Sequence, residues 1–260
     1  MNENSHSHGC VQQIDDPDDI RLSPYRSIRE KDLVGRQQRF IAEGKVVLNV
    51  LFSSSARFET ESLLVLENRL AGLSEQLGQL PPDVPVYSVP QTVMDMVAGF
   101  HVHRGILAVG RRKTQPSLDT MLAALPAKSL VVVLCGISNH DNVGSIFRNA
   151  AAFEADCVLM DETCCDPLYR KAIRVSVGSV LSVPFSRGFA AQVMLERLAA
   201  ARGAKRISVD ASDSAQGFFA ARGYTAQQRN SVSIGDEWLA NTTMTKTLAD
   251  PASDPSRLSS

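Results

Sequence analysis

The chain has 260 residues, of which 44% are apolar and 21% charged, and its formal net charge is −1. This composition is typical of a folded globular protein of one or two domains, and it excludes collagen-like and low-complexity chains. Because the net charge is close to zero, binding of nucleic acid through bulk charge is also excluded, and any RNA contact would need a local basic patch.

The five cysteines indicate reduced thiols. Their number is odd, two are adjacent, and no CxxC spacing occurs. The pattern favours a cytosolic thiol set over a disulfide scaffold or a zinc site. His6, His8 and Cys10 could in principle hold a metal ion, but no second ligand cluster lies near them, so no metal site is expected.

No apolar run approaches the length of a membrane span, and the start MNENSHSHGC lacks the basic and apolar regions of a signal peptide. We therefore expect no membrane segment and a cytoplasmic location.

The first half of the chain predicts a leader followed by a small domain. Residues 1–30 are polar and rich in Asp and Pro, which predicts a disordered leader. In residues 31–112, a helix is predicted to run into the apolar VVLNVLF, and ESLLVLENRLAGLSEQL to form a second helix. VPVYSVP and RGILAVGRR are predicted strands on either side of the helix QTVMDMVAG. This alternation indicates a small α/β/α sandwich.

A second α/β domain is predicted after a linker at residues 113–128, which contains one short helix. SLVVVLCGI is a continuous apolar run, as in a strand buried on both faces of a parallel sheet. The segments that follow are the helix NVGSIFRNAAAFE, the strand CVLMDE, the helix DPLYRKAIRVSVGS and the strand VLSVPFS. Residues 129–192 therefore predict a doubly wound βαβαβ series.

The first candidate site follows the first strand of that series. Ligands of such sheets lie beyond the carboxyl ends of the strands, and Asn142 and Gly144 are expected there. Gly144 would let a ligand approach the backbone, Asp141 or Asn142 would cap the helix, and Arg148 would point a cation into the same cleft. The alternative is an ordinary capped helix with a surface arginine.

The second candidate site is DPLYRKAIRVSVGSVLSVPF, residues 166–185. Asp166 is expected to cap a helix whose first residue is Pro167. The helix should end near Ser176, Gly178 and Ser179, just before a buried strand. Gly178 permits a tight loop in which a cofactor could lie against bare backbone.

Together, NVGSIFRNAAAF and DPLYRKAIRVSVGSVLSVPF resemble the first two signature motifs of the SpoU family of RNA 2′-O-ribose methyltransferases. HVHRGILAVGRR is similar to the join between that family's substrate-binding and catalytic domains, and RFIAEGKVVLNVLFSS to the start of its RNA-binding domain. The resemblance covers roughly residues 31–190. It implies transfer of a methyl group from S-adenosylmethionine to a ribose 2′-hydroxyl of tRNA or rRNA, by a homodimer whose catalytic domain is a trefoil knot of the SPOUT type.

The resemblance also implies roles for individual residues. Asn142 and Arg148 would face the ribose, where the guanidinium would stabilise the developing alkoxide. Gly144, Ser176, Gly178 and Ser179 would line the cofactor pocket. Five cations are candidate RNA phosphate contacts: Arg111, Arg112, Lys113, Arg170 and Arg174. Basic runs of this kind are more often solvated faces, and Arg170 and Arg174 could equally form helix-face pairs.

The resemblance stops near residue 190. The family's third motif, a Gly-x-Glu-x-x-Gly loop followed by Ile-Pro and Ser-Leu-Asn-Val, does not occur in this sequence. Residues 193–248 predict a helix, the strand RISVDAS, a short helix and two strands joined near GDEW. They resemble the C-terminal part of a GNAT-family N-acetyltransferase. Residues 249–260 are a predicted disordered tail.

The simplest interpretation is a chimera joined near residues 187–197. In the alternative, the tail adds strands to the methyltransferase sheet. Phe219 stands where many acetyltransferases carry a tyrosine general acid, and the coenzyme A loop is missing, so acetyl transfer is not expected. Two alternatives to a methyltransferase stay open. One is an RNA-binding protein without catalysis, which would use residues 31–112, and the other, although it is not expected, is an N-acetyltransferase.

Overall fold

A computed structural model describes residues 11–26, 34, 38–99, 101–114, 116–234 and 237–248. His6, His8, Cys10, the predicted turn at Gly235 and Asp236, and residues 249–260 lie outside the described residues. The chain divides into two compact units. The first comprises Met1–Pro116 and Pro126–Gly188, and the second comprises Ser117–Leu125 and Phe189–Ser260.

The first unit contains a five-stranded mixed sheet in the order β1-β4-β3-β5-β2. The strand β3 is parallel to β4 and antiparallel to β5. The strands are β1 Val11–Gln13, β2 Arg39–Glu43, β3 Phe58–Leu66, β4 Val86–Val89 and β5 Ile106–Arg112. The α-helices are α1 Lys45–Phe52, α2 Ser74–Gln79 and α3 Gln91–Ala98, and Ile20–Tyr25 and Glu67–Leu73 are 3-10 helices.

The sheet is covered on both faces, which explains why the second half of its central strand, residues 63–66, is apolar without alternation. Leu63 and Val65 belong to one buried cluster, and Leu64 and Leu66 to another. An apolar run of this kind cannot be told from a buried helix by periodicity. The helix predicted for ESLLVLENRLAGLSEQL is therefore wrong over its first part, where β3 ends at Leu66.

The helix at the start of this sheet lies later in the chain than predicted. Residues 39–43, predicted as helix, form β2, whereas the apolar VVLNVLF lies in α1. Val47, Leu48 and Leu51 are buried on one face of α1, and this helical spacing outweighs the strand preference of its valines. The predicted strand VPVYSVP and helix QTVMDMVAG are confirmed as β4 and α3.

Part of the predicted leader is structured. β1 pairs in parallel with β4, with Val11 opposite Val86. Ile14, Leu22 and Tyr25 are buried, and the Tyr25 hydroxyl lies 2.7 Å from that of Ser62. Disorder over the whole of residues 1–30 is therefore wrong, because these three side chains provide apolar anchors within a polar stretch.

The first unit also contains a three-stranded sheet in the order β6-β7-β8. Its strands are β6 Val131–Leu134, β7 Cys157–Asp161 and β8 Phe185–Phe189, and its helices are α5 His140–Ala152 and α6 Arg170–Val175. β6 and β7 are parallel, with Val131 opposite Cys157. This part confirms the order of the predicted strands and helices. The predicted burial of the first strand on both faces is wrong, because Val131, Val132 and Val133 of β6 are only half-buried.

The second predicted helix of this series is shorter than expected. Asp166 accepts the Leu168 amide at 2.9 Å and so caps a turn, while Tyr169 is the residue before α6. Asp166 as helix cap and Pro167 as first helical residue are therefore wrong. A 3-10 helix, Ser179–Leu181, occupies the start of the predicted strand VLSVPFS.

The second unit has its own antiparallel sheet in the order β10-β11-β9. Its helices are α4 Leu118–Ala123, α7 Ala191–Ala201 and α8 Gln216–Ala220, and its strands are β9 Arg206–Ser212, β10 Thr225–Ile234 and β11 Glu237–Thr247. These elements match those predicted for the tail. In the described part of the chain, these three strands form a separate sheet, so the alternative in which they extend the β6-β7-β8 sheet is wrong.

Candidate functional site

The candidate site begins where β6 ends and α5 starts. The side chain of Asn139 caps α5, because its Oδ1 accepts the backbone amides of Asp141 at 2.8 Å and Asn142 at 3.2 Å. The predicted cap at Asp141 or Asn142 is therefore wrong. The Asp141 carboxylate pairs instead with Lys171 of α6 at 2.6 Å, and the Asn142 side chain is exposed.

Asn142 and Arg148 are both exposed on α5. Six residues of an α-helix correspond to about 9 Å along the axis and about 120° around it. The two side chains therefore leave α5 in different directions and do not form one compact pair on the surface of this helix. Contact of both with a single ribose stays a prediction.

Gly144 is buried between two helices. A methyl group on its α-carbon would lie 2.7 Å from the Ala172 carbonyl oxygen and 2.8 Å from Val175 Cβ. The absence of a side chain at Gly144 therefore lets α6 pack directly against α5. The close approach predicted for a ligand at this glycine is made by protein backbone instead.

The loop after α6 is held by internal hydrogen bonds. The buried Ser176 hydroxyl donates to the Ile173 carbonyl at 2.9 Å and accepts the Val180 amide at 3.4 Å. Gly178 has a left-handed φ of 89°, and its amide donates to Ile173 at 3.0 Å. The half-buried Ser179 accepts the Ser182 hydroxyl at its carbonyl oxygen, at 3.2 Å. These polar groups stabilise the loop itself.

The free face of Gly178 is covered by α1. A methyl group on Gly178 would meet Val50 Cγ2 at 3.1 Å and Val47 Cα at 3.3 Å. On this face the neighbour of Gly178 is therefore α1. The roles of Gly144, Ser176, Gly178 and Ser179 in binding S-adenosylmethionine stay a prediction.

Asp161 is a site residue that the sequence analysis missed. At the carboxyl end of β7, its side chain accepts the amides of Gly136 at 3.0 Å and Cys164 at 2.9 Å, and the Thr163 hydroxyl at 2.8 Å. Burial raises the pKa of Asp161, but these hydrogen bonds outweigh it and hold the pKa below its ordinary value. An Asp after an apolar run, with Thr two residues later, is the signal that indicates such a turn.

Two of the five predicted RNA contacts are engaged in ion pairs within the protein. Arg112 binds Asp166 at 2.6 Å, and Arg170 binds Glu43 at 2.7 Å, with all four side chains largely buried. These two arginines join the two sheets of the first unit, which gives each a structural role, and their role as phosphate contacts stays a prediction.

The other three predicted RNA contacts are exposed. Arg111 forms an exposed ion pair with Glu59 at 3.0 Å. Lys113 and Arg174 also face solvent, and their role as phosphate contacts stays a prediction.

The described residues contain neither a membrane-spanning helix nor a cluster of metal-binding side chains. No helix there is long and apolar enough to cross a membrane. No group of three or more His, Cys, Asp or Glu side chains in that part of the chain could hold a metal ion.

The comparison with protein families matches residues 129–240 to the SpoU rRNA Methylase family. The match runs past residue 192, where the sequence analysis ends the methyltransferase domain. A protein of Mycobacterium bovis named as an uncharacterized tRNA/rRNA methyltransferase is 41% identical over 181 residues, which are 68% of this chain and 60% of that protein. A Mycobacterium tuberculosis protein of the same description is 40% identical over the same shares. The chain thus spans 60% of the length of these curated relatives.

Solved methyltransferases share the fold. An S-adenosylmethionine-bound rRNA methyltransferase from Sinorhizobium meliloti superposes with a TM-score of 0.58 at 17% identity, covering 74% of this chain and 69% of that one. The SpoU methyltransferase AviRb from Streptomyces viridochromogenes gives 0.55 at 20% identity, with coverages of 70% and 66%. The predicted fold class, α/β with a SPOUT-like domain, is confirmed.

Proposed function

We propose that this chain, which carries a SpoU methylase domain at residues 129–240, transfers a methyl group from S-adenosylmethionine to a ribose 2′-hydroxyl of tRNA or rRNA. The family match carries the proposal, and the names of the mycobacterial relatives support RNA as the substrate class. The proposal includes the homodimer, the trefoil knot and the cytoplasmic location that the resemblance and the sequence predict.

Arg148 would activate the ribose 2′-hydroxyl through its positive charge. Its guanidinium is exposed on α5, and an arginine stays charged at every physiological pH. A fixed positive charge beside the 2′-hydroxyl favours the alkoxide over the alcohol, and the same guanidinium can bind the adjacent phosphate. Arginine is a poor proton acceptor, so its contribution is electrostatic. Asn142 would hold the nucleotide through its exposed carboxamide.

S-adenosylmethionine supplies an electrophilic methyl group when it is bound. Gly144, Ser176, Gly178 and Ser179 are the residues that would hold it, and Val47 and Val50 pack against one face of Gly178. We derive no step through the cofactor.

The covered glycine also favours a second candidate function, RNA binding without methyl transfer. This candidate agrees with a sequence that lacks the family's third motif. The same exposed cations would contact phosphate, but no group would be transferred.

One pair of measurements separates the two candidates. Purified chain is incubated with methyl-labelled S-adenosylmethionine and with bacterial tRNA or rRNA, and RNA binding is measured in parallel. Label in the RNA supports methyl transfer. Salt-dependent RNA binding without label supports the second candidate. The absence of both RNA binding and label contradicts both candidates.

The GNAT-like origin of residues 193–248 stays a prediction. Phe219 cannot act as a general acid, so we do not propose acetyl transfer. A blank result with labelled acetyl-coenzyme A is expected.

A further inference from the structure

We infer that a basic depression on the first unit, between the start of α1 and the 3-10 helix Glu67–Leu73, binds the phosphate of one nucleotide of the RNA substrate. The inference rests on the proposed function and assigns a place on the protein to its substrate. We call this feature the basic depression, and its cations are Lys45, Arg69 and Arg104.

The basic depression is concave and has the size of a small-molecule site. It encloses about 470 Å³, within the range of roughly 300–1,000 Å³ that is usual for ligand pockets. Its apolar lining comes from Val46, Leu73 and Ile106. A phosphate with its attached ribose or base fits such a mixture of charge and apolar surface.

The backbone brings the cations together. Gly44 has a φ of 88°, and a methyl group on it would lie 2.7 Å from Arg104 Nη1, so the guanidinium rests directly against the start of α1. Gly105 lies close to the aliphatic part of the Arg69 side chain, because a methyl group on Gly105 would lie 3.2 Å from Arg69 Cγ. Lys45 donates from Nζ to the Gly72 carbonyl at 3.1 Å across the depression.

The charges of the basic depression are unbalanced. No acidic side chain lines it, and among the described residues none of its three cations has a carboxylate within ion-pair distance. All three are exposed. By contrast, Arg112 and Arg170 of the same unit each have a carboxylate partner. Three clustered cations without a counter-ion repel one another, and an anion that binds between them relieves that repulsion.

The N-terminus of α1 would also attract an anion to the basic depression. The first amides of an α-helix have no acceptor within the helix, and its N-terminus carries partial positive charge. The Arg104 guanidinium lies at this end of α1. A phosphate in the basic depression would therefore meet oriented cations and the positive end of the helix together.

The test compares two double variants of the full chain in binding to labelled bacterial tRNA. R69Q/R104Q removes two cations of the basic depression, and K128Q/R206Q removes two exposed cations elsewhere. We expect R69Q/R104Q to weaken binding at least about tenfold, since each charged hydrogen bond is worth that much. The slope of log Kd against log salt should fall by about 0.7, because one phosphate on single-stranded RNA contributes about 0.7. The control should stay within about twofold of the unsubstituted chain.

Val46→Glu is a second, independent variant. Val46 is 57% exposed, so a carboxylate there leaves the fold intact and places a negative charge in the basic depression. It should weaken RNA binding as R69Q/R104Q does. Equal affinities of R69Q/R104Q and the control, or unchanged binding by Val46→Glu, would overturn the inference and leave the proposed function standing if methyl transfer is seen.

If the unsubstituted chain binds no RNA, the proposed function fails and the basic depression is tested separately with adenosine 5′-monophosphate and inorganic phosphate. Shifts of the Lys45 and Val46 amide resonances that disappear in R69Q/R104Q would support a phosphate site. Absence of any shift at these amides would contradict it. A response to inorganic phosphate equal to that with the nucleotide would assign the site to phosphate alone and overturn the nucleotide assignment.

Discussion

Gly178 lies against Val50, so that a methyl group on the glycine would come within 3.1 Å of Val50 Cγ2. This contact joins the loop that the family resemblance assigns to the cofactor with the helix α1 of the neighbouring sheet. A cofactor that used this face of Gly178 would therefore compete with the packing of α1.

Val50→Ala should strengthen S-adenosylmethionine binding. The truncation removes about 1–1.5 kcal/mol of apolar packing, which would tighten binding by up to about tenfold if α1 must withdraw first. Isothermal titration calorimetry measures the change. Val46→Ala, the same substitution on the exposed face of α1, is the matched control. Equal affinities of the two variants would show that α1 does not compete with the cofactor.

Gly144→Ala should destabilise the first unit. The new methyl group would stand 2.7 Å from the Ala172 carbonyl, and overpacking of this kind costs about 1–3 kcal/mol. Urea unfolding measures the loss. Gly72→Ala is the control, because nothing lies within 4 Å of the methyl group that it adds. A Gly144→Ala protein as stable as the control would mean that α5 and α6 are not in direct contact.

Arg170→Gln should cost more stability than Arg111→Gln. Arg170 makes two hydrogen bonds to Glu43, whose side chain is 9% exposed, and an unpaired buried carboxylate costs about 3 kcal/mol. Arg111 and Glu59 form a pair with side chains 57% and 48% exposed, and such a pair contributes roughly 0–1 kcal/mol. The free energies of unfolding of the two variants measure this difference. Equal losses of stability in Arg170→Gln and Arg111→Gln would contradict the structural role of Arg170.

Asp161→Asn should remove part of the loss of stability in acid. Because the folded pKa of Asp161 is depressed, its contribution is present above the unfolded pKa of about 3.9. That contribution is lost as the pH falls through the folded pKa. The variant should therefore be less stable than the unsubstituted chain at pH 7, with a smaller difference at pH 3. Urea unfolding at both values measures this, and a difference independent of pH would contradict it.

Much of the fold could be predicted from the sequence where a segment is buried on one face or bounded by clear turns. The series from β6 to β8 and the elements of the tail follow from apolar runs separated by helical periodicity. Two features could not be predicted in this way. One is that residues 39–43 form a strand and the helix starts only after Glu43, and the other is that Leu63 lies in a strand. In those segments the pattern is ambiguous, and tertiary packing decides.

The candidate site shows a similar limit. Motif spacing identified Asn142, Arg148 and Gly178, but glycine is equally suited to a ligand and to close packing of a helix. Only the structure shows that Ala172 packs against Gly144 and Val50 against Gly178. The basic depression joins Lys45, Arg69 and Arg104 from three separate segments, so no local pattern in the sequence could have indicated it.

The proposed chemistry is tested most directly by the position of the transferred methyl group. A 2′-O-methyl group blocks alkaline cleavage of the adjacent phosphodiester, so labelled RNA should yield alkali-resistant dinucleotides that carry the label. Arg148→Ala should lower their yield by about 10²–10³-fold, the usual effect of removing one group that stabilises a developing oxyanion. Label found only in alkali-sensitive mononucleotides, or no label in RNA that the chain binds, would contradict a ribose methyltransferase.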